Sequence, residues 1–136
     1  FRPLQAVTLV SFLRALILAQ DGDISIYKND DADILDKARD RGWLSENLAP
    51  TAILNRETAG RILIRYLNLE HIASRSDLYI NPYQDIKKGS NFVGYAAILK
   101  SYQVMEGKGS IFAPAAAVSR AEAAQYIYRL SKVNVY

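Results

Sequence analysis

The sequence predicts a mainly α-helical domain built from helix–loop–helix repeats, and three observations predict it. First, one short frame returns three times. It reads Phe1-Arg-Pro3 leading to Val7-Thr8, Leu48-Ala-Pro50 leading to Leu54-Asn55, and Phe112-Ala-Pro114 leading to Val118-Ser119. An apolar residue, any residue, proline, three residues, an aliphatic and a small capping residue make up the frame, and recurrence in register is the mark of a repeat. Second, each frame is followed by apolar residues at helical spacing: Phe12, Leu13 and Leu16; Ile62, Leu63 and Tyr66; Ala123, Ile127 and Leu130. Third, a different helical pattern stands between the frames.

The frames dictate their own local structure. Proline biases the residue before it away from helix, so each approach is extended. Thr8, Asn55 and Ser119 are N-cap types whose side chains accept a hydrogen bond from an orphan amide. Ser119 with Glu122 is a capping box. Residues 20–30 read as a loop with a short strand at Ile24–Tyr27. From about Asp31 to Arg41 a helix is expected with Ile34, Leu35 and Ala38 inward and Gly42 as its stop. Glu70 to Gln84 shows no sustained period and carries the turn signal Asn81-Pro82. Ser90 to about Tyr102 is a helix with Phe92, Tyr95, Ala96 and Leu99 inward, ending in the turn Gly107-Lys108-Gly109. Each unit is then a helix, a loop carrying the proline frame, and a second helix. The expected units are residues 1–20 (second helix only), 31–69 and 83–132, with 70–82 as connector, all within one domain over 1–136.

Composition narrows the chemistry. Half of the 136 residues are hydrophobic, enough for one compact core. The absence of cysteine excludes disulfides, thiolate metal sites and a thiol nucleophile. No apolar run approaches the ~18 residues of a membrane span; the longest, Val7 to Ala19, is broken by Thr8, Ser11 and Arg14. The chain opens on Phe1 with no charged segment before it, as expected of a processed or partial chain. Residues 1–47 carry six Lys/Arg against eight Asp/Glu, while residues 48–136 carry eleven against six. The basic part favours an anionic partner without naming it.

With these motifs in place, the chain resembles the S-layer homology family. Tyr83-Gln-Asp85-Ile86, the helix from Ser90 to Tyr102, Gly107, Phe112-Ala-Pro114 and Val118-Ser119-Arg120-Ala121-Glu122 match that family's repeat in order. Leu54-Asn55-Arg56-Glu57-Thr58-Ala59 is a looser copy with Thr58 where an acid is expected. Val7-Thr8-Leu9-Val10-Ser11-Phe12 keeps the frame and loses both arginine and acid. The resemblance implies a pseudo-threefold, three-pronged helical bundle whose first repeat is incomplete here. It implies an extracellular module of the bacterial cell surface that binds an anionic secondary cell-wall polysaccharide, often pyruvylated, in grooves between prongs, or a peptidoglycan-linked polymer. It implies no catalysis and puts motif arginines along the grooves; no cofactor, no nucleic-acid partner and no membrane insertion are expected.

The residues themselves leave alternatives open. Arg56 and Arg120 fall at the first position of their helices, where the positive dipole end disfavours a cation by roughly 0.3–1 kcal/mol. An anion docked there would meet free amides and a forked guanidinium together. The other reading pairs each arginine with a nearby acid such as Glu57, Glu106 or Asp85. Glu122 is either a capping residue or a ligand contact. Gly107 and Lys108 either bring backbone and an ammonium to a sugar acid or simply reverse the chain. Trp43 and Tyr83 either stack on a sugar or pack in the core. Asp85 joins the candidate ligand residues through the opening motif.

Other chemistries lack their residues. His71 is the only histidine, so no histidine pair exists to bind a metal. Asp21-Gly-Asp23-Ile-Ser25 begins like a calcium loop without the sixth-position glycine or twelfth-position glutamate. No phosphate-cradling loop, nucleophile elbow or zinc spacing is present. The rival expectations are a repeat module that has lost its carbohydrate and serves protein–protein or S-layer assembly contacts, a nucleic-acid binder suggested by the basic part but lacking a long basic run, and a wall-active enzyme lacking any catalytic constellation.

Overall fold

The structure is a computed structural model and describes residues 2–133; Phe1, the opening residue of the first frame, lies outside them. Six helices follow one another among the described residues: α1 (Leu9–Asp21), α2 (Asp31–Asp40), α3 (Arg56–Tyr66), α4 (Glu70–Ala73), α5 (Val93–Ser101) and α6 (Arg120–Leu130). No strand is present among them, only isolated bridges. The mainly α-helical class is as the sequence predicts.

The caps sit where the frames require them. Thr8, Asn55 and Ser119 accept from the backbone N–H of Ser11, Thr58 and Glu122 to open α1, α3 and α6. The capping box at Ser119 is complete, with Glu122 Oε1 accepting from the Ser119 amide at 3.1 Å. On α2, Ile34, Leu35 and Ala38 are buried and Gly42 ends the turn at φ 79°.

Three expectations are corrected. Ile24–Lys28 is a 3-10 helix, not a strand, because the Asp23 side chain accepts from the Ser25 amide and closes a tight turn. The α5 helix starts at Val93 rather than Ser90, since Ser90 Oγ accepts from the Phe92 amide and holds that stretch as a turn. The segment after Glu70 is not bare loop. It forms α4 and a 3-10 turn over Ser76–Leu78, and a Cβ on Gly94 of α5 would lie 1.9 Å from the Ala73 carbonyl oxygen. Only glycine lets α4 rest directly on α5, and a helix of one turn is too short to display a period.

The three frames close on one another at the centre of the fold. The Val7 amide donates to the Val118 carbonyl, Val118 to Leu54, and Leu54 to Val7, at 2.8, 2.9 and 3.0 Å. A second cycle surrounds the first: Leu9 donates to Ala52, Arg56 to Ala116, and Arg120 to Gln5. A third adds Val10 to Pro50, Glu57 to Pro114 and Ala121 to Pro3. Matched positions of the frames thus make matched bonds, and the first amides of α1, α3 and α6 are satisfied by a neighbouring frame instead of water. Val7, Leu54 and Val118 are buried at the hub of one apolar core with Phe12, Leu13, Leu16, Ile62, Leu63, Phe92, Leu99 and Phe112.

Candidate functional site

The hydrogen-bond cycles make Leu9, Arg56 and Arg120 equivalent: each is the first residue of its helix, and each faces the next unit round the ring. The three seats have different fates. Leu9 is fully buried in the core and carries no charge. Arg56 is inserted into the wall of the unit that holds α6. Arg120 is exposed.

Arg56 is only 8% exposed. Its Nε donates to the Phe112 carbonyl at 2.7 Å, and Nη2 donates to the Glu106 carbonyl at 3.1 Å. Its Nη1 donates to Glu122 Oε2 at 3.0 Å and to the Tyr126 hydroxyl at 2.6 Å, and the guanidinium lies 4.7 Å from the Phe112 ring centre. The acid is Glu122, not the Glu57, Glu106 or Asp85 expected of a pairing partner. Burial pushes the Glu122 carboxyl up, but the Ser119 amide and hydroxyl, the Tyr126 hydroxyl and Arg56 together hold it below its ordinary value. Burial pushes the Tyr126 hydroxyl up to about 12, the nearby Arg56 opposing and Glu122 assisting.

Around Arg56 opens a cleft of about 600 Å³, with Lys108 on the loop side and Gln125 and Arg129 on α6. Gly107 forms its edge. A Cβ there would sit 2.1 Å from the Ile111 carbonyl oxygen and 2.7 Å from Tyr83 Cε1, so the loop is compatible with glycine alone. The Gly107 amide donates to the Tyr83 hydroxyl at 2.9 Å. Asp85 accepts from the amides of Phe112 and Ala113 at 2.8 and 2.7 Å. Burial pushes the Asp85 carboxyl up, but these two amides and the charge of Arg56 hold it below the usual carboxylate range. Ala113 adopts φ 57°, a left-handed conformation costly for a residue with a Cβ, and the Asp85 pair of bonds holds it there.

Arg120 lies in a separate cleft of about 430 Å³ between α6 and α1, with Ser11, Arg14 and Tyr27 opposite. No acid lies within ion-pair distance of Arg120 among the described residues. Where Arg56 meets Glu122, two residues into the neighbouring helix, Arg120 meets Ser11 at the matching place of α1. Arg14 brings a second guanidinium, whose Nη2 donates to the Asn29 carbonyl at 2.8 Å and to Asp31 at 2.9 Å.

Arg56, Glu122, Lys108 and Gly107 therefore meet in one cleft, with Asp85 and Tyr83 holding its loop from behind. Trp43 and Tyr83 are both 3% exposed, and their rings are covered, Trp43 by Tyr66 and Arg41, Tyr83 by Phe112 and Lys100. Neither offers a free face to a sugar, which corrects the stacking reading for both. The sequence reading missed Gln125, Tyr126 and Arg129, although they follow Glu122 on one helix face at spacings of three, four and seven. It also missed Arg14 and Tyr27, which only the closing of the first frame against the third brings to Arg120.

Residues 82–124 match the family model of the S-layer homology domain. This segment is similar to an S-layer homology domain. The match runs from the Pro82-Tyr83 opening into the second turn of α6 and takes in Tyr83, Asp85, Gly107, Lys108, Arg120 and Glu122. S-layer homology domains are cell-wall anchoring modules of the cell surface and act by binding, not catalysis. Comparison with curated proteins gives no match for the chain. No helix among the described residues is long and apolar enough to cross a membrane.

Proposed function

We propose that this chain anchors its parent protein on the bacterial cell envelope by binding an anionic secondary cell-wall polysaccharide, with an acidic group of the polymer docked on Arg120. The observation that carries this reading is the exposed Arg120 guanidinium, free of any acidic partner among the described residues, beside Arg14 in an open cleft. An acid there would meet a forked donor with no acid of its own among the described residues, next to the Arg14 guanidinium that Asp31 pairs. Pyruvyl carboxylates and phosphates both supply such acids. Lys108 and Arg129 give the Arg56 cleft a weaker claim on the same polymer, because Glu122 already satisfies the arginine at its floor. The units 1–20, 31–69 and 83–132, with 70–82 between them, are the repeat boundaries that go with this reading.

The test is a pull-down of the chain on native cell-wall sacculi and on sacculi stripped of secondary polymer by acid. Binding lost on stripping supports the anchor; binding to neither form overturns it. A second reading, contact with other proteins without carbohydrate, draws on the apolar side chains displayed by the frames, where Leu4 is 90% exposed and Ile53 is also exposed. It would gain from failure of the sacculus test.

A further inference from the structure

We infer that Tyr27 is the stacking platform of the Arg120 cleft, so that the ligand read there is a cyclic sugar acid rather than a bare anion. This rests on the assignment of Arg120 as the docking residue. Tyr27 is 59% exposed, lines the same cleft as Arg120, and has no ring partner among the described residues. Its backbone is nonetheless fixed. The 3-10 helix Ile24–Lys28 is capped by Asp23, anchored by buried Ile26, and tied to α1 where Arg14 donates to the Asn29 carbonyl and Asp31. An exposed ring on a clamped turn forgoes core burial and stands at the cleft on backbone that is already ordered. Binding to such a ring costs little further ordering of the protein.

The remaining walls suit a sugar better than an inorganic anion. Ala15, Ala124 and Ile127 supply apolar surface beside the two guanidinium groups. A sugar acid has an apolar ring face for Tyr27 and these side chains, a carboxylate for Arg120, and hydroxyls for Ser11. The other exposed tyrosines are placed differently: Lys132 lies over Tyr128 at 5.2 Å, and Tyr102 belongs to clefts away from Arg120.

The experiment compares the whole chain with Tyr27→Ala, Tyr27→Phe and Arg120→Ala, measuring binding to native sacculi and, by NMR titration, to glucuronate and to pyruvate. Tyr27 is exposed, so its variants retain the fold, which circular dichroism checks. Tyr27→Ala is expected to weaken sacculus binding about fivefold, as for loss of one aromatic contact, and to erase the preference for glucuronate over pyruvate, while Tyr27→Phe keeps both. If Tyr27→Ala binds like the parent while Arg120→Ala does not, the platform is refuted and the docking assignment stands. If the parent chain itself treats glucuronate and pyruvate alike, the platform is refuted as well. If Arg120→Ala binds sacculi undiminished, the docking assignment falls and the inference falls with it.

Discussion

Arg56 and Glu122 stand 66 positions apart in the chain and meet at 3.0 Å. The pair joins the start of α3 to the first turn of α6, and Tyr126 completes it by accepting from Arg56 and donating to Glu122 at 3.2 Å. The arginine of the looser motif copy thus spends four hydrogen bonds on its own fold.

Arg56→Ala should therefore be a stability variant. Removing the buried guanidinium strands the Phe112 and Glu106 carbonyls and leaves Glu122 without its partner. Breaking a buried pair costs about 3–5 kcal/mol, and the partial exposure of Glu122 reduces that to about 2–3 kcal/mol. Urea denaturation measures it; a loss under about 1 kcal/mol would contradict the structural role.

The same cluster sets a pH dependence at both extremes. The folded Glu122 carboxyl lies below its ordinary value, so its contribution is present above the unfolded value near 4.5 and is lost as pH falls through the folded one. The Tyr126 hydroxyl is raised from 10 to about 12, so its contribution is full below 10 and lost between 10 and 12. Glu122→Gln should flatten the acid limb of a stability–pH curve and Tyr126→Phe the alkaline limb. Unchanged limbs in folded variants would show that other groups govern both.

Ala113 and Asp85 predict opposite effects. Ala113→Gly removes the left-handed penalty and should stabilise by about 0.5–1 kcal/mol after the entropy cost of glycine. Asp85→Ala removes the acceptor of two amides and should destabilise by about 1–2 kcal/mol. Thermal denaturation gives the signs, and a melting temperature that falls for Ala113→Gly would contradict the strain argument.

Arg120→Ala makes the contrasting case. The side chain is exposed and has no acidic partner among the described residues, so the melting temperature should stay put. Affinity for native sacculi should fall tenfold or more, about 1.4 kcal/mol. A folded variant with undiminished affinity would remove Arg120 from the site.

What could be read from the sequence was what local rules fix. The caps at Thr8, Asn55 and Ser119, the capping box to Glu122 and the inward faces of α2 and α5 depend on residues three or four apart, and all were visible there. The partner of Arg56 was not, because Glu122 belongs to another unit and only the frame cycles bring the two together. Tyr27 was misread for a similar reason: a β-branched and aromatic run suggests a strand, while Asp23 and Arg14 impose a tight turn. The fates of Trp43 and Tyr83 depended on burial, which single aromatics beside helix ends do not announce.

The bonds between the first and third frames also decide how the domain yields under load. Pro3 lies opposite Ala121, Gln5 opposite Arg120, and Val7 opposite Val118, in antiparallel sense. Tension applied at residue 2 and at the start of α6 pulls both sides of this seam from the same end. It would part Ala121 from Pro3 first, then Arg120 from Gln5, then Val118 from Val7, one bond at a time and without shear. Peeling in this order reaches the amide of Arg120 before the central ring, so a seam opened this way loses the geometry of its Arg120 cleft while Val7, Leu54 and Val118 still hold one another.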